Sequence, residues 1–248
     1  GNLMTSYGTN NKQRSFFGNI GGHQKGINWG LWGDYKAASD YSNKYDQRVW
    51  NSKFNEMNFG GSAGYSGSWG YSNLIFSQFN QKLGVIEGER ATDGSFIKLF
   101  PGGIEGSPTN DDFNSTDPYV PYQHVRHHKF ILDNSFHIGA GRLALTLGYQ
   151  RNQRQEFGNA DDPGEYGLYF DLHTINYNAA YHLKVKNGWH TSVGANGMFQ
   201  NNKNRGSEVL IPEYGLFEVG TFIYTQKTIG KASFSGGLRY DYRNLDSK

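Results

Sequence analysis

The sequence predicts an all-β chain of antiparallel transmembrane β-barrel strands. Three observations carry that prediction. Stretches of about ten residues alternate apolar and polar side chains and recur along the chain. The connections between them alternate short and long. Nowhere is there an apolar run approaching the ~18 residues that a transmembrane helix needs.

The clearest strand runs from Arg142 to Gln150. Leu143, Leu145, Leu147 and Tyr149 fall on one face, and Arg142, Ala144, Thr146, Gly148 and Gln150 on the other. Successive strand side chains point to opposite faces, so one face is greasy and the other wet or small. A membrane barrel needs that division, with lipid outside, a polar lumen inside and aromatics near the interface. The alternation returns in Ile27–Tyr35, Ile175–Leu183, Trp189–Phe199 and Ala232–Tyr240. Around Trp69–Phe79 and Phe217–Tyr224 both faces carry bulky apolar residues, so strands are expected there without an assigned lipid face.

Tight turns are expected at 24–26, 66–68, 139–141, 186–188 and 229–231. Asn187-Gly188 is the strongest hairpin signal, because both positions tolerate positive φ. Long connections are expected at 37–53, 81–125, 152–167 and 201–214. Short turns at one rim and long loops at the other match the periplasmic and extracellular ends of an outer-membrane barrel. A soluble sandwich can also alternate its loop lengths.

Composition agrees with this reading. The 248 residues are 16% aromatic, with 34 glycines, 6 prolines and no cysteine. The mean hydropathy of −0.71 does not conflict with a barrel. Only alternate residues over a band ~25 Å tall need be apolar. A net charge of +2 without a Lys/Arg block gives no sign of nucleic-acid binding. The lack of cysteine removes disulfides, thiolate metal clusters and thiol nucleophiles. About eleven strands are legible, whereas bacterial single-chain barrels carry even numbers. Residues 1–248 are therefore expected to be one partial barrel domain, with further strands lying outside it.

Several segments resemble a known family. Tyr7-Gly8-Thr9-Asn10-Asn11 and Asn43-Lys44-Tyr45-Asp46 are similar to an early barrel hairpin and the next long loop of TonB-dependent outer-membrane receptors of the Bacteroidetes type. Pro121–Lys129 resembles that family's descent from a long loop into a strand, and Leu145–Phe157 is the most specific match. Gly206–Tyr214 and Tyr224–Lys227 are similar to later segments. The resemblance implies a barrel of about 22 strands filled by a plug domain. It also implies a bacterial outer-membrane location, lipid around the wall, and partnership with the TonB complex through the plug. The implied task is import of a small-molecule nutrient such as a ferric siderophore, haem, cobalamin or glycan. The plug, the TonB box and the closing strands are not recognisable in this chain. No cofactor is implied.

The expected ligand-binding residues lie in loops and lumen. Tyr119 and Tyr122 sit late in the longest connection, where a receptor would first meet ligand. His124, with His127 and His128, invites a metal or haem reading. Adjacent His127 and His128 would point to opposite faces, so a structural role at the loop-to-strand junction is the better expectation. Arg142, Gln150, Asn152 and Arg154 share one strand face and could meet a plug or an anionic substrate. They serve equally as a wet barrel wall. Asn110–Asp117 offers calcium-type oxygen ligands but lacks the distal Glu of an EF-hand, so a solvated mobile loop is expected, not a metal site. Glu87 and Glu89 mimic a carboxylate pair but flank Gly88 in a loop-like stretch. No nucleophile–base–orienter set is legible, so no enzyme is expected. The alternatives to a transport receptor are a small outer-membrane barrel enzyme and a non-transport β-sheet interaction module.

Overall fold

A computed structural model describes residues 1–247. In chain order the strands are β1 (Asn2–Gly8), β2 (Gln13–Gln24), β3 (Ile27–Ala38), β4 (Ser42–Asn43), β5 (Gln47–Arg48), β6 (Phe54–Gly67), β7 (Gly70–Gly84), β8 (Lys98–Phe100) and β9 (Ile104–Gly106). A single-turn helix, α1 (Asn110–Asn114), follows. Then come β10 (Tyr122–Ile138), β11 (Gly141–Phe157), β12 (Leu168–His182), β13 (Trp189–Asn204), β14 (Tyr214–Ile229) and β15 (Ala232–Ser247). Eleven strands form one antiparallel meander, β1-β2-β3-β6-β7-β10-β11-β12-β13-β14-β15. The pairs β4–β5 and β8–β9 are small ribbons within the long loops. The large sheet is open: β1 and β15 each pair along one edge only.

Local chemistry sets the hairpins. Lys25 and Gly26 join β2 to β3 with φ of 51° and 85°. Asn187 and Gly188 take φ of 53° and 78° beneath a Lys186–Trp189 bridge. Two consecutive positive φ values define the turn whose twist matches a right-handed β-ribbon. These turns, with 68–69, 139–140 and 230–231, lie at one rim. The other rim carries 9–12, 39–53, 85–121, 158–167 and 205–213.

The ladder register assigns the two faces across the whole sheet. Ile20, Leu31 and Gly61 stand in one row with Phe76, Phe130, Tyr149, Ile175, Phe199 and Phe217. Leu74, Leu132, Leu147, Tyr177 and Gly197 form the next row on the same face. These large side chains are not packed away: Leu31 is 58% exposed, Leu74 52% and Leu238 78%. The opposite face carries Asn28, Asp34, Lys36, Glu56, Gln150, Asn176, Asn196, Glu218 and Arg239. A continuous apolar face this wide is stable only against lipid or another apolar surface. No helix among the described residues is long and apolar enough to cross a membrane.

The register settles both segments whose lipid face the alternation leaves open. Leu74 and Phe76 point with Leu132 and Phe130, while Tyr71, Ile75 and Phe79 point with the polar set. Phe217, Val219 and Ile223 join the apolar face, and Leu216, Phe222 and Tyr224 the polar one.

The strands also run further than their alternation suggests. A strand needs about 9–11 residues to cross a bilayer, and β10 and β11 have 17 each. Asn152–Phe157, expected in a loop, continues β11, so this connection shrinks to 158–167. The other long connections become 39–53, 85–121 and 205–213. Polar side chains occupy both faces of these extensions, Gln153 and Gln155 on one and Asn152 and Arg154 on the other. Polar residues on both faces erase the alternation that marks a strand in lipid.

The enclosed apolar core of the molecule is in the loops. Val49, Trp50 and Phe96 are buried together, with Phe113 and Tyr119 packed on them. The wall contributes no comparable cluster.

Candidate functional site

Two surfaces can meet a ligand: the cap of long loops and the polar face of the wall.

In the cap, Trp50 meets Phe113 edge-on with ring centroids 5.9 Å apart, and Tyr119 at 6.4 Å. Lys98 lies over Trp50, Phe100 and Tyr119 at 5.7, 5.0 and 4.9 Å from the ring centroids. Asn51 adopts φ 60° and ties three segments together. Its amide donates to the carbonyls of Tyr119 (2.9 Å) and Pro121 (2.7 Å), and its Oδ1 accepts from the Tyr119 N–H at 3.0 Å. Beneath it Lys53 Nζ lies 3.1 Å from Asp40 Oδ2, with both side chains almost fully enclosed. Burial raises the Asp40 carboxyl and lowers the Lys53 ammonium from their ordinary values, against their mutual attraction. Lys53 also donates to the Asp112 carbonyl and stands 4.3 Å from the Trp50 ring centroid.

The Asn110–Asp117 segment is a docked element, not a free loop. Thr109 caps α1: its Oγ1 accepts from the Asp112 N–H at 3.2 Å, while the Asp112 carboxylate accepts from the Thr109 N–H at 2.9 Å. Lys98 holds the same carboxylate at 2.6 Å. Burial pushes the Asp112 carboxyl up, but the hydrogen bonds from Lys98 and Thr109 hold it below the ordinary value. In the Glu87/Glu89 pair, burial first and then the Glu89 charge raise Glu87. Above the cap core lies a concavity of about 520 Å³ lined by Tyr45, Arg48, Arg90, Ser95 and Phe113 among others. Arg90 pairs with Asp46 at 2.6 Å and covers the Phe96 ring.

On the polar face, a second concavity of about 460 Å³ spans β10 to β14. Lys129, Gln150, Asn176, Asn178, Asn196 and Glu218 line it. Gln150 donates to Asn176 Oδ1 at 3.4 Å and accepts from His127 at 3.2 Å. Arg239 donates to Asn196 at 2.7 Å, and Arg243 pairs with Glu218 at 3.1 Å. A separate network on β3, β6 and β7 joins Lys36 to Glu56 (3.0 Å), Asn58 to Asp34 (2.9 Å) and Gln81 to Glu56 (2.8 Å). Charges of both signs alternate along this wall. Such a surface suits a polar ligand or a folded polar surface, not a single highly charged ion.

The seven residues singled out from the sequence fall into three places. Arg142, Gln150, Asn152 and Arg154 share the polar face of β11. Arg142 donates to Ser135 at 3.3 Å and Arg154 pairs with Glu156 at 2.6 Å. Tyr119 belongs to the cap core. Tyr122 and His124 lie on the other face of the sheet, in line with Phe130 and Leu132. Tyr122 stacks on Phe157 at 4.4 Å, and His124 donates to Asn80 at 2.7 Å. Among the described residues no group of three or more metal-ligating side chains converges. Asp40, Asn51 and Lys53, which fasten the cap, escape sequence reading. The one signal was a Trp beside polar residues at the end of a long loop.

No family model matches the sequence. No curated protein matches it either. The fold does match solved structures. The FrpB iron transporter from Neisseria meningitidis superposes with a TM-score of 0.66 for its F3-3 variant and 0.67 for F5-1. Identities are 12% and 13%, and in both cases 96% of this chain and 41% of the transporter are covered. The ferric citrate transporter FecA in its unliganded form gives 0.63 at 11% identity, over 99% of this chain and 37% of that one. The chain thus spans about two-fifths of these transporters' length, and it has their barrel-wall fold.

Proposed function

We propose that this chain is part of the barrel wall of a TonB-dependent outer-membrane receptor, of the Bacteroidetes type that its segments resemble. In this reading the long-loop rim is extracellular and the short turns are periplasmic. The receptor captures a scarce nutrient and admits it through a lumen that a plug domain controls. The carrying observation is the eleven-stranded wall with an outward apolar face and an inward polar one, alike over nearly its whole length to iron transporters. The cap concavity, with Tyr119 beneath it, serves as the first contact. The strip of Arg142, Gln150, Asn152 and Arg154 meets the plug or the passing ligand. The open edges of β1 and β15 pair with the remaining strands of the same receptor, since unpaired edges are not tolerated in lipid. Transport needs no chemistry on the ligand, consistent with the lack of a nucleophile–base arrangement in the sequence.

The test begins with membranes of cells producing the natural polypeptide. Peptides from 1–247 should map to the outer-membrane fraction and to a polypeptide more than twice this length, as 41% coverage of the transporters implies. Removing 85–121 should abolish binding of the iron chelate or other nutrient while leaving the protein in that fraction. Recovery in a soluble fraction, or a chain of 27.9 kDa with hydrolytic activity, would instead favour an interaction module or a barrel enzyme.

A further inference from the structure

Beyond the apolar band, toward the long-loop rim, the lipid-side face of the wall changes character within one residue pair. The row Phe130–Tyr149–Ile175–Phe199 is followed by His128–Arg151–His173–Asn201, and then by Arg126–Gln153–Asp171–Lys203. Asp171 is fully buried here, and two guanidinium groups and an imidazole meet it. Arg151 holds it with two bonds of 2.8 Å, Arg205 approaches at 2.9 Å and His173 at 3.3 Å. Arg126 adds another guanidinium. It donates to the Gln155 amide oxygen at 2.9 Å, and no carboxylate lies within 4.0 Å of it among the described residues. Three guanidinium groups therefore face one carboxylate. Lys82 and Lys203 flank them, each with its own acid, Asp117 at 3.2 Å and Glu213 at 2.8 Å.

We infer that this collar binds the phosphate-bearing headgroup of an outer-leaflet lipid. The place is set by the row before it. Aromatic side chains sit at the membrane–water interface, and Tyr149 donates its hydroxyl hydrogen bond to His173 Nδ1 at 2.9 Å, fixing the collar one residue pair beyond that level. Lipid phosphates occupy this depth. The charge is complementary: on this face Arg126, Arg151 and Arg205 outnumber Asp171, leaving guanidinium charge for an anionic headgroup. The geometry suits phosphate, because guanidinium forks bind its oxygens in pairs. Asp171 holds Arg151 and Arg205 in place before any headgroup arrives. The side chains remain reachable, at 36% exposure for Arg151 and 55% for Arg205. The inference rests on the membrane-spanning reading of the wall and not on transport.

The test is native mass spectrometry of the whole receptor that contains this chain, released from phosphatidylcholine nanodiscs, with and without 10% dioleoyl phosphatidic acid (roughly one lipid in ten, enough for a single site to compete). Phosphatidic acid should be retained at least about tenfold over phosphatidylcholine. Arg126→Gln should lower that retention by about threefold or more, and Arg205→Gln, on an exposed loop, should do the same if the first variant folds poorly. Lys231→Gln at the opposite rim should leave it unchanged. Equal retention of both lipids, or no effect of Arg126→Gln and Arg205→Gln, would overturn the inference while leaving the barrel wall intact. Displacement of the lipid by millimolar inorganic phosphate would assign the collar to free phosphate instead. Failure of the whole wild-type receptor to enter phosphatidylcholine nanodiscs would remove the membrane reading and the collar together.

Discussion

The wall and the cap solve opposite problems with the same chain. In the wall, the backbone ladder pairs both edges of the nine strands between β1 and β15, and lipid is the natural cover for the apolar side chains. Leu147 therefore needs no protein partner, and its neighbour Thr146 faces the lumen and donates to Asp133 at 3.0 Å. In the cap there is no lipid, so Trp50, Val49 and Phe96 must bury one another. The cap also encloses an ion pair, Asp40–Lys53. The wall keeps its charges at the lumen or beyond the apolar band. Where a residue sits in this chain decides which solvent it must satisfy, and the same substitution should have different consequences in the two regions.

The sharpest way to break the cap without the wall is Lys53→Met. Removing one partner of an enclosed pair leaves the other uncompensated, at a cost of about 3–5 kcal/mol. Hydrogen exchange over 85–121 should accelerate by that equivalent, while exchange in β10 to β14 stays constant. The double variant Asp40→Leu with Lys53→Met should recover most of the loss. If wall and cap exchange rose together, the two regions would be one cooperative unit.

A second comparison stays within the wall, on neighbouring residues. Leu147→Arg places a charge on the lipid face near the middle of the band and should cost about 2–4 kcal/mol in vesicle unfolding. Thr146→Arg points inward, next to Asp133, and should cost under about 1 kcal/mol. A larger cost for Thr146→Arg would mean that the faces are assigned the wrong way round, and equal costs that neither face meets lipid.

Acid should loosen the cap and spare the wall. The Asp112 carboxyl is held below its ordinary value, so its contribution is complete above the unfolded carboxylate pKa of ~3.9 and is lost as pH falls through the folded value. A ¹⁹F signal from fluorinated Trp50 should shift below pH ~4. Asp112→Asn should give the shifted signal already at neutral pH. An unchanged signal down to pH ~2 would dissociate α1 from the Trp50 cluster. The smallest effect is expected at the turn rim. Asn187→Val, at φ 53°, should cost about 1 kcal/mol of wall stability through left-handed strain and leave the cap untouched.

The wall was legible in the sequence because its rules are local. Alternation over Arg142–Gln150 separates lipid face from lumen face, and Asn187-Gly188 specifies its own turn, each within a few residues. Legibility ended where lipid ends. Asn152–Phe157 reads as a loop and is strand, since polar residues on both of its faces remove the pattern. Tyr122 and His124 could not be assigned to a face until the register with Phe157 and Gln155 fixed it.

The sequence alone thus determined the strand class, the hairpins and the inward strip of Arg142, Gln150, Asn152 and Arg154, since each follows from side-chain period and turn chemistry. Only the tertiary structure decided the cap and the collar. Asn51 finds Tyr119 across 68 positions, Lys53 finds the Asp112 carbonyl across 59, and Arg205 and Arg151 meet on Asp171 from different segments. Contacts between residues so far apart in the chain leave no periodic trace in it, because they depend on which loops the meander of the sheet brings to the same rim.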